Sequence, residues 1–302
     1  MKLLITGASG LLGSRLAELA IRENHEVYSA YSQHQPTYGT PIQLDISDKN
    51  HVEKAFKKIE PEVVVHTAAL TDVDKCELEK ELAWKINVEA TNHIATASAC
   101  INSHLIYVST DYVFDGEKGC YREEDQANPI SHYGYTKLKG EEIIKEHATK
   151  WCITRPSVLY GWLSHKQNFA TWLINSLNQK KEVKILKDQY ISPTLNTNLA
   201  EMLLEISQRK ILGILHTAGA TRVSRYEYAV KLAEVFNLNT DCIKPAKMHE
   251  MSWKAKRPRD SSLNVDKAMA LLNKKPLTLN QALSVMKKEE KTHEAAAQPK
   301  LT

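Results

Sequence analysis

The stretch KLLITGASGLLGSRLAEL, residues 2–19, decides the fold. Lys2 to Thr6 read as a buried first strand, and Leu11 to Glu23 read as a helix with apolar residues at 12, 16, 19 and 20. Between them Gly7, Gly10 and Gly13 keep a GxxGxxG spacing, a variant of the general dinucleotide fingerprint. Gly7 would permit a tight turn, Gly10 would let the backbone approach a pyrophosphate, and Gly13 would admit close packing of helix on strand. Amides at the helix start would meet the phosphate charge, which makes Ser9, Leu11 and Leu12 candidate contacts beside the glycines. A glycine triplet alone is weak evidence; a strand before it and an amphipathic helix after it supply the context. Lysine is missing from the GK[ST] arrangement, so this is not a nucleoside-triphosphatase loop.

Outward from this loop the chain alternates. Strands are expected at Glu26 to Ala30, Val63 to Val65, Leu105 to Ser109 and Trp151 to Thr154. Helices are expected at Val52 to Ile59, Glu79 to Ala99 and Tyr133 to Glu146. Short apolar runs without polar alternation suit parallel strands covered on both faces. The fold class is therefore α/β, a doubly wound parallel Rossmann sheet, with a smaller C-terminal α/β substrate lobe. Residues 1–155 read as the dinucleotide-binding part and 156–288 as mainly the substrate lobe, with Ile214 to Thr217 returning to the main sheet. Residues 289–302 lose periodicity and read as a loose tail. Trp84, Trp151 and Trp172 read as core.

With 302 residues, 42% hydrophobic and 25% charged, the composition is that of a globular protein. A formal charge of +4, spread over amphipathic segments, gives no nucleic-acid signature. Five cysteines, odd in number and without CxxC spacing, argue against a disulfide framework and a structural zinc site, and a reducing, cytoplasmic setting fits. No long apolar run supports a membrane span, and no HxxH or HExxH arrangement supports a catalytic metal. The expectation is no membrane, no metal and no nucleic acid.

An NAD site usually places an acid at the end of the second strand to hold the ribose diol. Here Ser29 to His34 contain none. NADP is favoured, with Ser32, His34 or Arg15 able to meet a 2′-phosphate, and NAD remains possible. Asp45 and Ile46 could contact adenine; Asp45 could equally be a helix-approach residue.

Tyr133 and Lys137 stand four apart on a helix and so share one face. Reduction of a ketone requires a proton for the oxygen, and a tyrosine with a nearby ammonium can deliver it. Ser109 and Thr110 follow the fourth expected strand at the carboxyl edge, where doubly wound folds place ligands, so either hydroxyl could orient a carbonyl. Asp111 could be a second orienting group, and each of these three could instead be a structural cap.

In these motifs the chain resembles the extended short-chain dehydrogenase/reductase superfamily and, within it, the dTDP-4-dehydrorhamnose reductases. The resemblance runs through GASGLLG at 7–13, HTAALTDVDKCE at 66–77, STDYVFDG at 109–116, YGYTKLKGE at 133–141, RPSVLYG at 155–161, DQYISPT at 188–194 and RPRDSSLN at 257–264. It implies Thr110, Tyr133 and Lys137 as a catalytic trio. It also implies cofactor contacts from Ala68, Ala69, Asn87 and Arg155, and a nucleotide-sugar site that includes Thr71, Asp72, Val73, Asp111, Tyr112, Trp162, Gln189 and Arg257. The implied reaction is NADPH-dependent reduction of a 4-keto deoxysugar linked to a nucleotide, and the implied assembly is a homodimer at most. For Arg257 and Arg259, which flank Pro258, phosphate binding competes with a surface salt bridge. Two departures fall in loops that shape the substrate region of the relatives: Asn264 ends the last motif where an acid is typical, and Ile191 and Ser192 stand where DQxGxPT has its glycine. Two other readings stay open, a non-catalytic NADP-binding regulatory subunit resembling that of methionine adenosyltransferase and a nucleotide-sugar epimerase or dehydratase.

Overall fold

The computed structural model describes residues 1–163 and 167–297. In chain order the strands are β1 (Lys2–Thr6), β2 (Glu26–Tyr31), β3 (Thr40–Gln43), β4 (Val63–His66), β5 (His104–Val108) and β6 (Lys150–Arg155). Short strands follow: β7 (Ser157–Tyr160), β8 (Val183–Leu186), β9 (Tyr190–Ile191), β10 (Pro193–Leu195), β11 (Gly213–His216), β12 (Val223–Ser224) and β13 (Ile243–Ala246). Seven of them make one parallel sheet in the order β11-β6-β5-β4-β1-β2-β3. Strand order reverses between β1 and β4, and the carboxyl ends of those two strands therefore open the crevice in which such sheets bind ligands.

The helices are α1 (Leu11–Arg22), α2 (Lys49–Ile59), α3 (Val73–Leu78), α4 (Lys80–Trp84), α5 (Ala90–Cys100) and α6 (His132–His147), then α7 (Phe169–Asn178), α8 (Asn196–Arg209), α9 (Arg225–Val235), α10 (Asp266–Leu271) and α11 (Leu279–Ala297). Side-chain alternation along β1 explains the two layers. Leu3 and Ile5 pack with Leu16, Leu199 and Leu203 on one face, while Leu4 packs with Phe56, Ile94 and Ile144 on the other. A separate core under the C-terminal elements joins Tyr160, Leu173, Ile185, Tyr228, Leu232, Leu283 and Met286.

Three expectations change. The long helix foreseen at 79–99 is broken: α3 starts earlier, capped by the Asp72 side chain, and a π-helical turn at Lys85–Glu89 separates α4 from α5. Such a turn carries an extra residue that 3.6-residue periodicity does not reveal. The foreseen loose tail is helical through Ala297, because α11 continues past Leu283 and Met286 and Glu289 accepts hydrogen bonds from Arg15 and Thr197; positions 298–302 lie outside the described residues. Trp172 is 38% exposed rather than core, tilted against Phe169.

A buried ion pair fastens α6 to the sheet. Arg155, at the end of β6, gives two hydrogen bonds to Glu141, Nε to Oε1 at 2.8 Å and Nη2 to Oε2 at 2.6 Å, with the Phe114 ring 5.2 Å from the guanidinium carbon. Both side chains are nearly solvent-free. Glu141→Ala leaves a buried guanidinium uncompensated and should cost about 3 kcal/mol or more. Urea denaturation checks this, and Glu141→Ala/Arg155→Met should recover part of the loss; a single-variant cost below about 1 kcal/mol would put the pair among ordinary surface bridges.

Candidate active site

The loop between β1 and α1 has the shape a phosphate needs. Gly7 has φ +68°, and a Cβ there would stand 2.9 Å from the backbone N and Cα of Ala68. At Gly13 a Cβ would fall 2.4 Å from the Gly7 oxygen, so only glycine lets α1 approach the loop. A Cβ on Gly10 would meet only that oxygen, at 3.2 Å, and no side chain caps the start of α1. First-turn amides left without an internal partner are ready for an anion.

From this loop a cleft of about 800 Å³ runs along the carboxyl edge of the sheet to the second core. Its walls include Gly7, Ser9, Gly10, Leu11, Leu12, Gly13, Ser32, Asp45, Ile46, Ala68, Ala69, Thr71, Val73, Thr110, Asp111, Tyr112, Tyr133 and Lys137. These expected site residues share one space. Beyond β2 the wall is Ser32, Gln33 and His34, without a carboxylate. Asp45 instead accepts hydrogen bonds from the Ser47 amide and hydroxyl at 2.9 and 2.8 Å, which hold its carboxyl below the usual range. The residues present fit a dinucleotide, and the uncharged β2 end does not repel a 2′-phosphate.

Other expected site residues are placed elsewhere. Arg155 is spent on Glu141, although Pro156, Ser157 and Val158 after it line the cleft. Asn87, turned inward by the π-helical turn, accepts from the Leu70 amide at 2.8 Å and donates to the Leu70 carbonyl and the Thr136 hydroxyl, both at 3.1 Å. It pins the loop beyond Ala69 from behind. Asp72 caps α3, Trp162 donates from Nε1 to the Met286 carbonyl at 2.8 Å, and Gln189 is buried against the Pro258 carbonyl. Arg257 pairs with Asp74 at 3.0 Å and faces Trp253, so the salt-bridge reading holds for it. Arg15 is no partner for a 2′-phosphate, since Glu18, Glu289 and Thr197 occupy its guanidinium.

The reactive corner lies where β5 ends. Thr110 donates its hydroxyl hydrogen to Asp111 Oδ1 at 3.0 Å. Asp111 Oδ2 accepts from Ser157 at 2.8 Å and from Ser261 at 2.6 Å. Burial raises the carboxyl of Asp111, and these hydroxyls oppose the shift. Tyr133 is buried on α6, its ring edge-on to Tyr112 at 5.9 Å. With its hydroxyl hydrogen on Asp111, the Thr110 oxygen is left as an acceptor, and the Tyr112 amide donates to it at 3.2 Å. Ser109, also in the wall, has a buried hydroxyl with no partner among the described residues.

Lys137 shares the face of Tyr133, but its ammonium donates to the Val108 carbonyl at 2.8 Å and stands 4.1 Å above the Tyr107 ring. Desolvation brings it down to about 7, Glu141 and Cys76 opposing. Burial pushes the Tyr133 phenol up, and the Thr110 hydroxyl opposes that shift. His66, sealed beneath the crevice between Thr6 and Thr91, is driven down to about 3 and stays neutral. Sequence reasoning missed Ser157, Ser261 and Arg225. For Arg225 a signal existed: a basic residue in the first turn of a helix opposes the macrodipole and needs a reason to be there.

Among the described residues no cluster of His, Cys, Asp or Glu could hold a metal ion, and no helix is long and apolar enough to cross a membrane.

The lysine shift has a stability consequence. Between about pH 7 and about pH 10 the unfolded chain holds a proton on Lys137 that the folded chain lacks, so this group makes stability rise with pH through that window. Lys137→Met should remove that part of the rise in urea midpoints. Parallel curves for the two proteins would contradict the buried placement.

The RmlD substrate binding domain family matches residues 1–292. A crystal structure of a hypothetical dTDP-4-dehydrorhamnose reductase from Sulfolobus tokodaii is 41% identical, with a TM-score of 0.84 and coverage of 92% of this chain and 97% of that one. That of dTDP-4-dehydrorhamnose reductase from Bacillus anthracis, in complex with NADP, is 30% identical, with a TM-score of 0.87 and coverage of 96% and 100%. Methionine adenosyltransferase 2 subunit beta from Bos taurus is 31% identical over 278 residues, 89% of this chain and 82% of that protein. The chain therefore belongs to the RmlD substrate binding domain family, as an NAD(P)H-dependent oxidoreductase of the dTDP-4-dehydrorhamnose reductase kind.

Proposed function

We propose that the protein uses NADPH to reduce the 4-keto group of a nucleotide-linked deoxysugar, with dTDP-4-dehydro-L-rhamnose as substrate and dTDP-L-rhamnose as product. One observation carries the reading: Tyr133 and Thr110 line the same cleft as the glycine loop. The uncharged wall at Ser32, Gln33 and His34 favours NADP, and NAD is tolerated. We read residues 1–155 as the dinucleotide part, its sheet completed by segments between 185 and 220, and 156–288 as mainly the sugar-binding part, a division supported by the core that Tyr160, Leu173, Leu232 and Met286 share while α8 and β11 pack with the first part.

Bound in the cleft, a reduced nicotinamide supplies the hydride for the carbonyl carbon. Tyr133 gives its phenolic proton to the carbonyl oxygen. Thr110, its own hydrogen fixed by Asp111, keeps its oxygen as an acceptor in the same cleft. Lys137, buried beside the Val108 carbonyl, stabilises a phenolate when it carries its proton.

Tyr133→Phe should retain NADPH affinity and lower turnover by about a hundredfold or more. Loss of the reduced-nicotinamide absorbance over a panel of 4-keto nucleotide sugars measures it, and unchanged turnover would remove Tyr133 as the acid. The same assay separates the rival readings. An epimerase or dehydratase regenerates its nicotinamide and consumes no external NADPH. The resemblance to methionine adenosyltransferase 2 subunit beta supports a regulatory reading, which calls for NADP(H) binding without turnover and a stable complex with an adenosyltransferase.

A further inference from the structure

Arg225 opens α9 and reaches the cleft from the C-terminal side. Its surroundings differ from those of every other sheltered arginine in the chain. Arg15 has Glu18 and Glu289, Arg155 has Glu141, and Arg257 has Asp74. The remaining arginines, at 22, 122, 209, 222 and 259, are exposed. Arg225 is half-buried, and among the described residues its hydrogen-bond partners are neutral.

Those partners hold it firmly. Nε donates to Gln189 Oε1 at 2.5 Å, and the Arg225 amide donates to the Gln189 carbonyl at 3.0 Å. Gln189 is itself fixed, since its amide nitrogen donates to the Pro258 carbonyl at 3.1 Å. The Tyr112 hydroxyl is close enough to feel its charge, and the Phe169 ring lies 5.7 Å from the guanidinium carbon. Asp111 acts on Arg225 only through space, because its oxygens are taken by Thr110, Ser157 and Ser261.

A guanidinium drawn out of water and oriented by neutral groups bears a desolvation cost that no directly paired carboxylate offsets. It has five N–H donors in a planar fork suited to two-pronged recognition of phosphate, and Gln189 does not use them all. Arg225, Tyr112 and Tyr133 line one cleft, with the Tyr112 ring edge-on to that of Tyr133, so the cation and the catalytic phenol face the same space.

We infer that Arg225 receives the phosphate that links sugar to nucleoside in the substrate, with Gln189 as its positioning residue. This rests on the nucleotide-sugar reading proposed above and assigns the anion contact to Arg225, where sequence reasoning had placed it on Arg257.

Calorimetric titration of the full chain with dTDP, with deoxythymidine and with NADPH tests the assignment. Arg225→Gln should weaken dTDP by about tenfold or more, leave NADPH affinity and thermal midpoint unchanged, and raise KM for the nucleotide sugar more than it lowers kcat. Arg225→Lys should restore part of the dTDP affinity. Equal dTDP affinity in wild type and Arg225→Gln would overturn the proposal, as would a matching loss of NADPH affinity, which would give the arginine to the cofactor. Selective loss against a nucleotide sugar bearing a carboxylate, with dTDP unaffected, would move the anion onto the sugar and overturn it too. Wild-type protein that reduces keto sugars but ignores dTDP would overturn the phosphate contact alone; wild type that does neither would take the nucleotide-sugar reading down as well.

Discussion

The carboxylate of Asp111 sits where a bare charge would be costly, and three hydroxyls meet it there, from Thr110, Ser157 and Ser261. Those groups come from the end of β5, the start of β7 and the segment before α10. One oxygen pair thus joins the carboxyl edge of the sheet to two returns of the chain from the other core. It also sets a direction. Because the hydrogen of Thr110 points at Asp111, its oxygen is left to accept, and the Tyr112 amide donates to it. The phosphate loop, the phenol and the wall beyond them keep their relative places through this joint.

Charge is otherwise handled sparingly around the cleft. His66 and His216 are driven down to about 3 by burial and stay neutral, Glu141 and Arg155 cancel each other, and Lys137 is left near the balance of its two forms. A buried ammonium near that balance responds to small changes in its surroundings, since each pKa unit corresponds to about 1.4 kcal/mol. The neutral histidines add no competing positive charge beneath the crevice. The aspartate, lysine and arginine side chains in the cleft wall are Asp45, Lys85, Asp111, Lys137 and Arg225.

Most of the architecture could be read directly from residue order. The glycine loop, the alternation of strands and helices and the return of β11 to the sheet follow from local patterns, and the cleft gathers most of the residues that the motifs pointed to. What could not be read depends on distant partners. Arg15 looks available to a phosphate until Glu289 arrives from 274 residues away. Arg257 looks like an anion receptor until Asp74 approaches, and Trp162 looks like a pocket wall until α11 offers it a carbonyl. The π-helical turn that swings Asn87 inward leaves no periodic trace, because one added residue shifts a face without changing composition. Asn87 itself was legible as a buried amide in need of a partner, with cofactor and backbone both open, and the Leu70 backbone is the partner found.

Val158, in the wall between Ser157 and Leu159, has φ +37°. A β-branched residue there is a conformational outlier and costs on the order of 1–3 kcal/mol. Surrounding bonds over-determine it: the neighbouring Ser157 amide donates to Thr194, its hydroxyl to Asp111, and its carbonyl accepts from Thr194. Tension of this kind is stored once, at folding, and is not released when a guest enters. The rim at this point behaves like a cast mould, and selectivity there comes from refusing wrong shapes rather than from yielding to right ones.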